Sequence, residues 1–211
     1  IKHVNNDNGG TAEPTDWTLT ADGPSPITGT TGNPAITNAA VQVGTYTLDE
    51  TGPTAYTPST WTCVDTDNDP FPTDGASLTL AEGDNVTCTI INNDAPAHLT
   101  LIKIVDNGTT GATAEPADWT LTASSDTNLV TGPGNSPTVT NQTINAGNYE
   151  LTETGGPNGY TPSTWTCEGA TLNGSTVTIP NGSNVTCTIT NTAQQAHLTL
   201  VKTVTNDNGG S

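Results

Sequence analysis

The chain has 211 residues, and its 21 acidic side chains stand against three lysines and no arginine, for a formal net charge of −18. A nucleic-acid binder needs a Lys/Arg footprint to displace phosphate counterions, and this chain has none; nor does any apolar run approach the roughly 20 residues of a membrane helix. About a fifth of the residues are Thr and only 31% are hydrophobic, with many Gly, Pro and Asn, a mixture that disfavours helix interiors and suits strands and turns.

In chain order, the first element is the short run Ile1-Lys2-His3-Val4, followed by the turn Asn6-Asp7-Asn8-Gly9-Gly10. The run returns as Ile102-Lys103-Ile104-Val105 and again as Val201-Lys202-Thr203-Val204, and the turn returns at 206–210. Thr-Ala-Glu-Pro-Thr-Asp-Trp at 11–17 recurs at 113–119 with one change, Tyr-Thr-Pro-Ser-Thr-Trp-Thr-Cys at 56–63 recurs at 160–167, and Asn-Val-Thr-Cys-Thr-Ile at 85–90 recurs at 184–189. The chain is a tandem repeat of about 100 residues per unit, close to the size of a small β-sandwich. The predicted units are 1–94, 95–195 and the opening strand of a third at 196–211. Beginning at Ile1 with no signal peptide in view, the sequence reads as an excerpt of something longer. The junctions 93–97 and 192–196 are short and predict limited hinging.

Within the second unit, alternating runs between turn residues predict strands near 98–105, 118–123, 137–142, 147–153, 163–167, 175–180 and 185–191. Seven short strands per unit give an all-β, Ig-like two-sheet sandwich. Side chains alternate along a strand, so parity sorts the faces. Lys103 shares a face with Leu99, Leu101 and Val105; Glu153 shares one with Tyr149 and Leu151; Asn191 shares one with Cys187 and Ile189. The first unit repeats this with Lys2, with Glu50 beside Tyr46 and Leu48, and with Asn92 beside Cys88 and Ile90. A lysine, a glutamate and an asparagine thus face inward in both units. Buried charges are tolerable when they satisfy one another.

Leu-Thr-Glu-Thr-Gly-Gly-Pro-Asn-Gly-Tyr at 151–160 resembles the E-box of collagen-adhesin B-type (CnaB-like, prealbumin-like) domains of bacterial pilins and surface stalks. Lys103, and the Asn that closes Thr-Ile-Thr-Asn at 188–191, match that family's other two reactive positions, and Ala-Asp-Trp-Thr-Leu at 117–121 resembles its second strand. The resemblance spans nearly the whole chain. It implies spontaneous isopeptide bonds, Lys103 to Asn191 assisted by Glu153 and Lys2 to Asn92 assisted by Glu50. In an apolar pocket a neutral amine can attack the amide carbonyl while a protonated acid polarises it and ammonia leaves. The competing reading is a buried salt bridge with a hydrogen-bonded Asn, or a lysine that snorkels outward. The first unit departs from the pattern, since 50–56 is a residue shorter and lacks Gly before Tyr. Lys202 has neither a Glu nor an Asn partner in its own unit.

Cys63 with Cys88 and Cys167 with Cys187, one pair per unit at matching places, point to intradomain disulfides and an oxidising setting; reduced buried thiols are the alternative. Asp65, Asp67, Asp69 and Asp74 have a Ca²⁺-like spacing without the Gly and terminal Glu of an EF-hand loop, so a solvated acidic loop is the stronger reading. Ca²⁺ at Asp65, Asp67 and Asp69 is the only cofactor candidate, and the Asn6–Gly10 turn invites the same suspicion and the same discount. Trp17, Trp61, Trp119 and Trp165 occupy repeat-equivalent strand positions and read as core. His98 and His197 open equivalent strands. Asn85, Asn107, Asn141, Asn173, Asn181 and Asn184 head glycosylation sequons.

The leading functional expectation is a structural segment of an extracellular bacterial stalk, fibre or filament at the cell surface. Its partners would be neighbouring repeats or subunits, with glycans on the sequons. The alternative is an adhesin-type module binding glycan or host protein with Ca²⁺ assistance. No catalytic motif for an external substrate is present, so an enzyme is not expected.

Overall fold

The computed structural model describes residues 1–205 and 207–209. Each unit is a pair of β-sheets packed face to face. In the first, one sheet runs β1 (Lys2–Asn5), β8 (Thr87–Asp94), β5 (Tyr56–Pro58), with β6 (Thr62–Val64) also on β8; the other runs β3 (Ile27–Gly29), β2 (Thr18–Asp22), β4 (Gly44–Thr51), β7 (Ser77–Leu80). In the second, β12 (Gln142–Ile144), β9 (Ala97–Asp106), β18 (Asn184–Ala193) and β14 (Tyr160–Pro162) form one sheet, with β15 (Thr166–Glu168) also on β18. Facing it are β11 (Leu129–Pro133), β10 (Trp119–Ser124), β13 (Gly147–Gly155), β17 (Thr176–Ile179) and β16 (Thr171–Asn173).

The first and last strands of each unit are neighbours and run parallel, β1 beside β8 and β9 beside β18; every other pairing is antiparallel. Entry and exit of each unit therefore lie at opposite ends of one strand pair. No helix among the described residues is long and apolar enough to cross a membrane.

The two-sheet architecture is as predicted, but the strands are more numerous: eight in the first unit and ten in the second. The predicted strand 137–142 is a 3-10 turn at Pro137–Val139 followed by β12, because Pro137 fixes a turn-compatible φ and lacks a ladder donor. The strand predicted at 163–167 is divided into β14 and β15. Between them Ser163 lies outside the regular pairing, donating its N–H to the Thr190 carbonyl while its Oγ accepts from Thr190 N–H. The predicted opening strand of a third unit forms no strand over 196–205, where Leu198, Leu200 and Val201 are exposed; a strand needs a ladder partner, and nothing pairs with this segment. Residues 206, 210 and 211 of that stretch lie outside the described residues.

The cores differ between units. In the second, one continuous cluster runs from Ala97, Leu99 and Leu101 through Leu121, Tyr149, Leu151 and Val177 to Cys187 and Ile189. In the first, the buried residues form two clusters, one around Tyr46, Leu48 and Leu78 and one around Trp17, Leu19 and Ile90. The units meet through backbone and amide bonds: Ala146 N–H donates to Asn8 carbonyl (2.8 Å), Gly182 N–H to Ala95 carbonyl (3.1 Å) and Asn181 Nδ2 to Ala55 carbonyl (3.0 Å).

Candidate functional site

Parallel pairing sets the geometry of both lysine centres. Lys103 stands opposite Ile189, and Asn191 lies two residues further along β18, opposite Val105. With a period of two, both side chains project from the same face as diagonal neighbours. The first unit has the same register, with Lys2 opposite Ile90 and Asn92 opposite Val4. The glutamates reach across from the facing sheets, Glu153 on β13 and Glu50 on β4. Lys2 and Lys103 are each 1% exposed, Asn92 2% and Asn191 4%. The structure brings together the three residue types that parity placed inside, and neither lysine snorkels to solvent.

In the second unit Glu153 Oε1 lies 3.2 Å from Lys103 Nζ and accepts a 2.7 Å hydrogen bond from Asn191 Nδ2. One carboxylate oxygen thus touches both the candidate nucleophile and the nitrogen that would leave. In the first unit Lys2 Nζ donates to Glu50 Oε2 at 2.7 Å. Burial pushes both lysines below their ordinary pKa of 10.5, against the opposing hydrogen bond and charge of Glu50 and Glu153. Asn92 Oδ1 and Asn191 Oδ1 are buried without a hydrogen-bond partner, two of the three such side-chain atoms among the described residues. A buried acceptor without a donor costs about 1–3 kcal/mol, and here the same atom bears that cost in both units.

An aromatic cover closes each centre. Trp17 and Trp119 follow 3-10 turns at Pro14–Asp16 and Pro116–Asp118, each held by a capping box in which Glu13 or Glu115 N–H donates to the Asp three residues on. Their rings lie 4.6 Å from Lys2 Nζ and 4.7 Å from Lys103 Nζ, and each packs edge-on against Tyr56 or Tyr160. Glycine is required where the E-box backbone crosses these rings. A Cβ on Gly52 would fall 2.4 Å from Trp17, and one on Gly156 would fall 2.2 Å from Trp119.

The tryptophans read from sequence only as core; the structure adds that two of them, Trp17 and Trp119, lie over the amines. The pairing of Asp-Trp with an E-box glycine in both repeats was the available signal. Also outside the sequence reading are Thr31, whose Oγ1 accepts from Lys2 N–H (2.6 Å), and Asn135, which bonds both Lys103 N–H (2.9 Å) and Lys103 carbonyl (3.0 Å).

Both disulfides are present, Cys63–Cys88 and Cys167–Cys187, each joining directly opposed residues of neighbouring strands. The Ca²⁺ candidate does not assemble: among the described residues no three His, Cys, Asp or Glu side chains group to hold a metal ion. Asp65 Oδ1 instead accepts from the backbone N–H groups of Asp67 (2.9 Å) and Asp69 (3.0 Å) and so closes its own loop. The Asn6–Gly10 turn likewise wraps a carboxylate. Asn8 and Gly10 N–H groups donate to Asp94 at 2.7–3.0 Å.

The sequence matches the family model of the prealbumin-like fold domain twice, over residues 1–90 and 94–189. No curated protein matches it. Among solved structures it is similar to the major pilin protein T-13 of Streptococcus pyogenes, with 14% identity and a TM-score of 0.34, covering 92% of this chain and 95% of that one. It is also similar to the C-terminal fragment of the pilus adhesin SpaC of Lactobacillus rhamnosus GG, with 14% identity, a TM-score of 0.39 and coverage of 94% and 98%. With two matched stretches that together span most of its length, the chain belongs to the prealbumin-like fold domain family and carries that domain in tandem.

Proposed function

We propose that the chain is a load-bearing structural segment of an extracellular bacterial fibre or stalk, each unit welded by a Lys–Asn isopeptide bond. The observation that carries this reading is the buried Lys-Glu-Asn set bridging the parallel first and last strands in both units.

The chemistry follows from the contacts of Glu153. The Lys103–Glu153 pair shares a proton, and its transfer from Nζ to the carboxylate leaves a neutral amine beside a neutral acid. Lys103 Nζ attacks Asn191 Cγ, the new C–N bond forms, and Glu153 delivers the proton to Nδ2 as the Cγ–Nδ2 bond breaks and ammonia departs. Oε1 already lies within reach of both nitrogens, so the carboxyl group shuttles protons without moving far. Trp119 and the apolar core exclude water, and folding supplies proximity that in well-oriented cases is equivalent to roughly 7–11 kcal/mol. Lys2, Glu50 and Asn92 repeat the arrangement.

Mechanically, tension that enters at Ala97 and leaves at Ala193 shears the β9–β18 pair. A bond from Lys103 to Asn191 would carry that tension covalently and shield the intervening chain. Forced unfolding is governed by the unfolding rate, and the weld removes the route altogether. Intact-mass spectrometry tests the reading. Two isopeptides lower the mass by about 17 Da each, beyond the about 2 Da per disulfide that reduction restores. A reduced mass equal to the full sequence mass overturns it.

A further inference from the structure

The two first strands differ in length: β1 has four residues and β9 has ten. In the second unit the leading half of β9 pairs on one side with β18 from Asn184 to Cys187 and on the other with β12, and it buries Leu99 and Leu101 completely. At the corresponding place in the first unit there is an open groove of 760 Å³, lined by Ile36, Val41, Leu48, Leu78, Val86 and Cys88 among others. Its flanks have lost their pairing: β8 starts at Thr87, whereas β18 starts at the repeat-equivalent of Asn85, and residues 39–41 form no counterpart of β12. The same chain carries an unpaired segment of the matching sequence. Ala196-His197-Leu198-Thr199-Leu200-Val201-Lys202 repeats Ala97-His98-Leu99-Thr100-Leu101-Ile102-Lys103 with one conservative change, and Leu198 and Leu200 are 84% and 85% exposed.

We propose that residues 196–205 of one copy of this chain add to the first unit of a second copy as its first strand, displacing β1 and carrying Lys202 to Glu50 and Asn92. In the β9 register, Leu198 and Leu200 fill the groove as Leu99 and Leu101 fill the second unit. Ala196 meets residues 39–41, and Lys202 lands where Lys2 now stands. A ten-residue strand makes the ladder contacts of β1 and adds those that β1 is too short to make, so the exchange gains pairing and apolar burial together. The linker matches as well: Ala193-Gln194-Gln195-Ala196 stands in the place of Asp94-Ala95-Pro96-Ala97, so the joint between copies repeats the joint between units. The contact is head-to-tail and does not close on itself, which yields an open filament. The covalent step rests on the isopeptide reading: Lys202 Nζ attacks Asn92 Cγ, Glu50 relays the proton to Nδ2, and ammonia leaves. The strand addition itself does not depend on that step.

The test uses the full chain with Lys2→Ala, which vacates the first-unit amine. At high concentration this variant is expected to sediment as oligomers and to give, after reduction and denaturation, a ladder in multiples of 21.5 kDa, each link about 17 Da lighter. Adding Lys202→Ala should keep the oligomers and abolish the ladder, and adding Leu198→Asp with Leu200→Asp should abolish both. A second arm guards against misfolding: a labelled 196–205 peptide should bind saturably to the Leu198→Asp/Leu200→Asp chain, and a peptide with the same two changes should not. Monomeric sedimentation together with no peptide binding overturns the proposal. Tail-dependent oligomers without a ladder, in chains whose second unit has lost its own 17 Da, overturn the delivery of Lys202. Tail-dependent oligomers with no mass loss in either unit uphold strand addition and overturn the isopeptide reading instead.

Discussion

The two units carry the same lysine centre on unequal scaffolds. In the second, Leu99 and Leu101 of the long β9 lie between the two sheets and join their apolar faces into one cluster. In the first, β1 contributes only Lys2 and the half-buried Val4 to the interior, and the core divides into two clusters with a groove between the sheets. Yet Lys2, Glu50 and Asn92 are as buried as their counterparts or nearly so. The centre depends on the final half of the first strand, the E-box strand and the Trp cover, all of which both units have. Hydrophobic continuity depends on the leading half, which only the second has. Site and core are thus separable features of this fold.

The most severe way to break the comparison is to remove the welds. Lys103→Ala and Lys2→Ala each open a loop of about 90 residues, worth roughly 4–5 kcal/mol by chain entropy, and each leaves a carboxylate without its partner. Calorimetry should show two transitions, with the first unit melting below the second in every variant because its core is divided. A first unit that melts at the higher temperature would contradict the weight placed on β9. Replacing Cys63 and Cys88, or Cys167 and Cys187, by Ala should cost about 3 kcal/mol each. The two losses should be nearly equal, since the separations are 25 and 20 residues; urea titration of each double variant reads them.

A finer distinction lies in the E-box. Gly52→Ala and Gly156→Ala both drive a methyl into a tryptophan, an overpacking cost of about 1–3 kcal/mol. Only Gly156 has a left-handed backbone, φ +79°, so its substitution should cost about 1–2 kcal/mol more. Equal losses in the two units would show that the extra residue of the second E-box loop is accommodated without that backbone.

Much of this was legible in the sequence because the informative features have short periods. Parity placed Lys103, Glu153 and Asn191 inside, since a period of two survives errors of a few residues at strand ends. The cysteines paired as expected because recurrence limited their partners. The short strands β11, β14 and β16 escaped notice for a physical reason. Leu129–Pro133 and Tyr160–Pro162 end in proline, and Thr171–Asn173 has three residues, too few to show alternation. The acidic loop misled through composition: Asp65, Asp67 and Asp69 have ligand chemistry, but Asp65 spends its acceptor capacity on its own backbone.

The smallest effect concerns a residue that only the first unit possesses. Asp94 is 1% exposed and stands where the second unit has Ala193. Burial by itself would raise its pKa, but the N–H groups of Gly10 and Asn8, the Asn8 side chain and Asp7 outweigh burial and hold it below the ordinary 3.8. A carboxylate depressed by folding stabilises the folded state in full above its unfolded pKa, and that stabilisation is lost as pH falls through the folded value. The first-unit transition should therefore weaken below about pH 3.8 in a manner that Asp94→Asn flattens. At neutral pH the variant should lose about 1 kcal/mol, because the charge-assisted bonds become neutral ones. The second-unit transition should follow the same course with or without the substitution, since its backbone there ends in Ala193 and has no carboxylate to protonate. A matching shift in both transitions would mean that the Asn6–Gly10 turn, which also meets Ala146 across the junction, couples the two units and does not merely close the first.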